Sequence, residues 1–562
     1  MALIKPDEPD FDVEEWRSQP YPERLRQMCV TWSTQGFGAP DVVYVFYLVK
    51  ILAYLGVFFG FAALTPTLGG PASFGEWWSS PIAFQKAVLW TMAFEVMGLG
   101  CGAGPLTGHY KPLFPTLRHW LRPGTVRLRP FAWVPFTEGH RRSWFDAALY
   151  AGLLALLVRA LVAPQLGLWQ LVPIVVVLCV LGLRDKTIFL AARSEHYLLL
   201  VVVFCFSGDL FAGSQAVQLM IWIGAATSKL TRHFPNVMAI MQSNNPVQRS
   251  VRFRKALYRD YPDDLRGSPL AATLAHAATA AEFAFPLTLA FTTSGWLHGA
   301  ALVLMVAFHL GILLSAPMGV PLEWNIMCIY LVLVLFGAHG EVRFWSIDSP
   351  LLIAILVGVV LLGPVLGNVR PDKISFLPSM RYYAGNWAAS VWLFRPGKME
   401  ELDRCLRKAA PLHRKQMEGQ IEPGTYDLSM ARGSAMRAMH LHGRALAVLL
   451  PEAFRDLAER DPDIAQRGVD AFEPIDGEMI AGLVLGWNFG DGHLHHEQLL
   501  AAVQAECGYE PGDLRCLFLE SQPLHRQRMH WRVADAASGP MSDGYIRVDD
   551  LLELQPWGAP TG

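Results

Sequence analysis

The sequence predicts a mainly α fold: a polytopic membrane helix bundle of about ten spans carrying a cytoplasmic mixed α/β C-terminal domain. Three observations lead there. Only 17% of the 562 residues are charged while 52% are hydrophobic, whereas roughly a quarter of a soluble domain is charged. The mean hydropathy is +0.27. Apolar stretches of about 20 residues, the length that crosses a bilayer as a helix, recur as far as residue 370 and then stop. This composition excludes disorder and collagen. Eight scattered cysteines without a C-x-x-C exclude a disulfide scaffold and a thiolate zinc site, and the thiols are expected to be reduced and packed as small hydrophobes.

Residues 1–41 are expected to form a polar cytoplasmic arm. No apolar run follows a basic start, so a cleavable signal peptide is not expected. Val13, Trp16, Leu25, Met28, Cys29 and Trp32 interleave with Arg17, Arg24 and Arg26. That pattern fits either a segment lying along the inner membrane surface or a soluble arm folded against the bundle. Pro20 and Pro22 interrupt any continuous helix.

The bundle, residues 42–370, divides into spans at 42–65, 82–105, 144–163, 168–188, 196–208, 213–231, 270–291, 296–315, 322–338 and 350–369. Gly208, Asp209 and Gly213 mark either a turn between the fifth and sixth spans or a break within one long tilted helix. Basic residues set the orientation. Segments 1–41, 106–143, 184–195 and 229–268 hold four, seven, three and eight Lys or Arg, and the alternating loops together hold one, Arg343. Both termini are therefore expected in the cytoplasm of a cell whose inner (plasma) membrane holds the bundle. The aromatic and basic loop 106–143 suits a platform touching anionic headgroups, with ordinary positive-inside signalling as the alternative. The same basic loops lie beside spans, so lipid and not nucleic acid is the expected polyanionic partner.

An interfacial linker is expected over 371–397, and residues 398–562 form the cytoplasmic tail, a surface for protein partners. Helices are expected at 398–409, 428–449, 451–460 and 496–507, and strands in LRCLFLES, MHWRVADA and GYIRVDDLLEL.

Charged groups inside spans mark function, pairing or snorkelling. Lys50, two turns into the first span, is expected to snorkel to the inner interface. Glu95 is mid-span, with Arg159 as a candidate partner; Glu282 and His309 lie deep in the seventh and eighth spans. Such residues are either packing contacts or parts of a site. Lys229, in IWIGAATSKLTRHFPNVMAIM, ends the sixth span. It is either a positive-inside lysine or a functional amine.

The order of Gly224, Ala225, Ala226 and Lys229-Leu230, then Glu282 and Pro286, then Phe308-His309, Gly319 and Glu323-Trp324-Asn325 resembles the core of the vitamin K-dependent gamma-carboxylase-like (HTTM) membrane superfamily over residues 215–340. The phrases RPGTVRLRPF, GHRRSWFDAALYAG, RHFPNVMAIMQSNNP, SFLPSMRYYAGNW and ESQPLHRQRMHWR resemble an uncharacterised bacterial transmembrane family described only as a domain of unknown function. The first resemblance implies that Lys229 is an active-site base acting on a quinol, since an amine removed from water can serve in its neutral form for proton abstraction. It implies that His309 hydrogen-bonds a ring oxygen or shuttles a proton, with Glu282 as its charge partner. Ser228 stands where those enzymes carry a second lysine, and no large substrate-peptide domain is present.

His440, His442, His493, His495 and His496 form a second candidate set in the tail, as metal ligands or as surface and capping groups. HLHH is one residue short of a desaturase box, and no dinucleotide loop, P-loop or nucleophile elbow occurs. Three classes follow: a membrane enzyme acting on a lipid, quinone or other hydrophobic substrate through Lys229, with a quinone or isoprenoid lipid as its cofactor; a non-catalytic lipid-handling or transport component; or a scaffold for partner enzymes.

Overall fold

The computed structural model describes residues 6–102, 111–112, 114–315, 321–419, 421 and 423–558. The protein is mainly helical, with a C-terminal β-sheet region. Among the described residues six helices are long and apolar enough to cross a membrane: Asp41–Ala63, Trp144–Val162, Ser207–Ser228, Pro269–Phe291, Gly295–Ser315 and Pro350–Val369. Three shorter apolar helices, Leu168–Arg184, Ser194–Phe204 and Leu322–Ala338, occupy other expected spans.

Several helix starts are written in the sequence as Ser-Pro. Ser80, Ser268 and Ser349 cap the helices Pro81–Val96, Pro269–Phe291 and Pro350–Val360, each hydroxyl accepting from the N–H two positions after the proline. Proline at the first helical position lacks the donor that would otherwise be orphaned. Ser143 and Asp146 form a reciprocal capping box on Trp144–Val162.

The helix Pro81–Val96 is the buried centre of the bundle: every residue from Ala83 to Val96 is buried. It occupies the expected second span, whose last residues, 103–105, lie outside the described set. Around it the outer helices present apolar side chains outward, with Phe46 65% exposed. A face of that kind is stable only in lipid. Between the expected fifth and sixth spans the chain does break: Ser207–Asp209 is a short 3-10 turn, and the Asp209 carboxylate accepts from the backbone N–H of Asp348 and Ser349 at 2.7 and 3.0 Å.

A small hairpin, β1 (Tyr258–Asp260) and β2 (Asp264–Gly267), interrupts the helices. The tail is built on five antiparallel strands: β3 (Ala389–Phe394), β4 (Glu473–Asp476), β5 (Leu514–Leu519), β6 (Arg528–Asp535) and β7 (Gly539–Arg547), in the order β4-β3-β5-β6-β7. Trp392 lies opposite Cys516, and Leu517 opposite Val533. The helix Leu441–Leu449 covers one face through Leu441, Ala445 and Leu446 packed on Leu393, Leu517 and Val533.

Several details depart from the sequence reading. The stretch ASVWLF, placed by sequence in an interfacial linker, is an interior strand whose residues are almost all buried, which is why it lacks the alternation of a half-exposed strand. The expected strand GYIRVDDLLEL turns at Arg547 into the helix Val548–Leu552. Cys405 and Cys507, expected as reduced thiols, form a disulfide joining helices 102 residues apart. The arm folds as two helices, Val13–Ser18 and Tyr21–Gln35, whose Trp16, Leu25, Met28 and Trp32 are buried against Ala435, Met436 and Met439 of the tail.

The N-terminal arm, the basic segments and the tail share one end of the bundle. Arg17 pairs with Asp427 at 2.7 Å, Arg141 Nη2 donates to Glu506 at 2.8 Å, Arg266 pairs with Glu553 at 2.7 Å, and Arg232 pairs with Asp549. Trp120 Nε1 donates to the Leu485 carbonyl at 2.8 Å, and Lys186 Nζ donates to that of His493 at 2.6 Å.

Candidate functional site

At the junction of bundle and tail lies a cavity of about 330 Å³. Lys229 is the C-cap of Leu210–Ser228, whose small residues Gly224, Ala225 and Ala226 let neighbouring chain approach: a Cβ on Gly224 would sit 2.7 Å from Met380 Sδ. Glu282 comes from Pro269–Phe291 and His309 from Gly295–Ser315. All three line this cavity. Its other wall is the tail side, with Phe376, Tyr382, Tyr383, Trp387, Asn488 and Phe489.

Lys229 and Glu282 form an ion pair, their side chains 8% and 5% exposed, and Lys229 Nζ lies 5.3 Å from the Phe234 ring centroid. His309 is held at both nitrogens. Trp222 Nε1 lies 3.0 Å from His309 Nε2; an indole N–H only donates, so Nε2 accepts and the ring proton sits on Nδ1. Nδ1 then donates to Asn325 Oδ1 at 3.0 Å, and the Asn325 amide donates on to the Pro321 carbonyl at 2.9 Å. This is a neutral imidazole with no nitrogen left over.

Behind the wall of Trp324, Tyr382 and Phe489 sits Arg193, fully buried and 4.8, 5.4 and 5.5 Å from the three ring centroids. Arg193 Nε donates to Glu195 at 2.8 Å and Nη1 to Cys101 Sγ at 3.3 Å, and the Tyr382 hydroxyl donates to the same Glu195 oxygen at 3.1 Å. Nearby, Lys50 pairs with the buried Glu323 at 2.8 Å.

A model of one protein family, described as transmembrane protein of unknown function (DUF3556), matches residues 1–562. The chain belongs to the DUF3556 family. No curated protein matches it. No solved structure matches it either.

In this DUF3556 chain two expected pairings and one expected snorkelling lysine are replaced. Glu282 faces Lys229 rather than His309, because the imidazole is already saturated by Trp222 and Asn325. Glu95 is not paired with Arg159: Arg159 is exposed, whereas the Glu95 carboxylate is buried and accepts from the Cys101 N–H at 2.8 Å. Lys50 turns to Glu323 instead of snorkelling, and its ammonium keeps that buried carboxylate from standing as an uncompensated charge.

The tail histidines are committed to different neighbours. His440 donates from Nδ1 to the Met436 carbonyl at 2.8 Å, and His442 to that of Gly385 at 3.3 Å. His495 Nδ1 meets Ser390 Oγ at 2.7 Å, His493 Nε2 meets Glu520 at 2.9 Å, and His496 Nδ1 accepts from the Gln498 N–H at 3.0 Å. Burial pushes His440 down to about 3 and lowers His442, His495 and His496. Among the described residues no three His, Cys, Asp or Glu side chains form a metal-holding group.

The residues that sequence reasoning missed are the aromatic and amide groups of the tail-side wall. Two short runs carried the only signal: RYYAGNW, which brings Tyr382, Tyr383 and Trp387, and WNFG, which brings Asn488 and Phe489.

Proposed function

We propose that this membrane protein takes an apolar small molecule, a lipid, quinone or isoprenoid, from the bilayer into the cavity at Lys229 and acts on it there. The observation that carries this reading is the meeting of Lys229, Glu282 and His309, from three helices, on one otherwise apolar wall. The cavity reaches the outer face of the bundle between Pro269–Phe291 and Gly295–Ser315, where Ala278 and Ile312 are half-buried and Gly311 is exposed. Both helices are candidate membrane spans, so the way in is from lipid. In this reading Lys229 is the base, its proton passing to Glu282 when the pair neutralises, and His309 orients Trp222 against the ligand. The resemblance of this helix order to the HTTM core supports the same assignment.

A second reading, a carrier that holds the molecule without changing it, is favoured by the saturation of both His309 nitrogens. The two are separated by extracting the full-length protein and identifying its bound molecules by mass spectrometry in wild type and Lys229→Gln. An enzyme accumulates unconverted substrate in the variant, and a carrier holds the same molecule in both.

The proposed location is the inner membrane with both termini cytoplasmic. Its support is that the arm and the three other basic segments, 106–143, 184–195 and 229–268, each bond to the tail. The exposed Trp133, Phe136 and Trp144 beside Arg129 supply the membrane-surface platform on that side.

A further inference from the structure

The polar atoms on the cavity wall are almost all spoken for. Lys229 and Glu282 hold each other, His309 is held at both nitrogens, and Glu478 accepts from the Gly490 N–H at 2.7 Å and from Arg437 at 3.1 Å. Three buried side-chain atoms of the wall have no hydrogen-bond partner among the described residues: the Tyr383 hydroxyl, Trp387 Nε1 and Asn488 Nδ2. Trp387 is 7% exposed and Asn488 is 0% exposed. The orientation of the Asn488 amide is fixed, because its Oδ1 already accepts from the N–H groups of Phe489 at 2.7 Å and Asp491 at 3.2 Å, leaving the NH₂ without an acceptor among the described residues. Tyr383 and Trp387 stack with centroids 5.9 Å apart. An indole N–H and an amide NH₂ can only donate, and leaving them unmet in an apolar space is costly.

Resting on the cavity reading above, we infer that the ligand's polar end lodges at Tyr383, Trp387 and Asn488 and is an uncharged hydrogen-bond acceptor, a carbonyl oxygen on an apolar body. The charge of the wall selects against an anion. Its one ammonium, Lys229, is neutralised by Glu282, and the remaining charged lining group, Glu478, is held by Arg437, so the wall offers no unpaired cation to an anion. A carbonyl of this kind occurs both in acyl esters and in quinone rings, and binding distinguishes these sources.

The test is equilibrium binding to the full-length protein in dodecyl maltoside micelles of four probes: methyl oleate, decylubiquinone, oleate and 1-octadecene. Methyl oleate or decylubiquinone is expected to bind about tenfold more tightly than 1-octadecene, the increment of one or two buried hydrogen bonds, and more tightly than oleate. The tighter of the two carbonyl probes names the source. Trp387→Phe and Asn488→Leu are each expected to remove most of that preference, read as the ratio of carbonyl-probe to 1-octadecene affinity within the same variant. Equal binding of the hydrocarbon and the carbonyl probes, or a preference for oleate, overturns the head-group inference and leaves the cavity reading standing. Failure of all four probes to bind overturns both.

Discussion

Lys229 and Glu282 stand 53 residues apart in sequence and form a buried ion pair on the wall of the cavity. The pair joins the end of one helix to the middle of another and makes the site electrically neutral. Breaking a buried pair by removing one partner strands the other charge, whereas removing both together does not.

Lys229→Met is therefore expected to cost about 3 kcal/mol of stability, with Lys229→Met/Glu282→Leu recovering most of it but not the function. Thermal unfolding of the detergent-solubilised variants, alongside their bound-molecule content, checks this. A single variant as stable as wild type would place the amine in solvent.

Trp222→Phe leaves His309 Nε2 without its donor in a buried position. The expected cost is about 1–3 kcal/mol, seen as a lowered unfolding midpoint, and Asn325→Leu should behave alike by stranding Nδ1. Additive losses in the double variant would show that the Trp222–His309–Asn325 chain does not act as a unit.

Stability should fall in acid. His440, His442, His495 and His496 are held below the ordinary imidazole range by burial, His440 at about 3. Above pH of about 6.5 they are neutral in folded and unfolded chains alike and contribute no pH dependence. Below it the unfolded chain takes up protons that the folded chain refuses, so each costs about 1.4 kcal/mol per pH unit until its folded value is reached. Unfolding midpoints measured from pH 8 to 5 should be level and then drop steeply; a flat profile contradicts the burial.

The disulfide and the basic segments pull on the same question of sides. Disulfides persist in oxidising compartments, whereas basic segments beside membrane spans, such as those at the same end, favour the cytoplasmic side. With a cytoplasmic tail, Cys405 and Cys507 are expected to be captured as thiols when intact cells are alkylated before lysis, and to close on oxidation of the purified protein. A pair already closed in the cell would move the tail to the oxidising side.

Much of the bundle was legible because lipid imposes a single rule on every span, and the Ser-Pro starts mark helix ends locally. Lys229, Glu282 and His309 stood out because ionisable groups are rare in apolar helices. Their partners were not legible. Nothing local distinguishes Trp222 or Asn325 from core residues, and the wall at Tyr383, Trp387 and Asn488 depends on how the tail docks. The arginines used to orient the chain gave no hint that Arg141, Arg232 and Arg266 close on Glu506, Asp549 and Glu553. β3 was hidden because a strand buried on both faces loses its period of two.

The most direct test of the account is native mass spectrometry of the wild-type protein beside Gly311→Trp. Gly311 lines the cavity at the bundle surface, and a Cβ there meets nothing within 4 Å, so the indole can fill the opening without displacing the helix. An apolar molecule bound one to one in wild type and absent from a Gly311→Trp variant of unchanged unfolding midpoint is the expected result. A wild-type protein that emerges empty, or a variant that retains the same molecule, would contradict it.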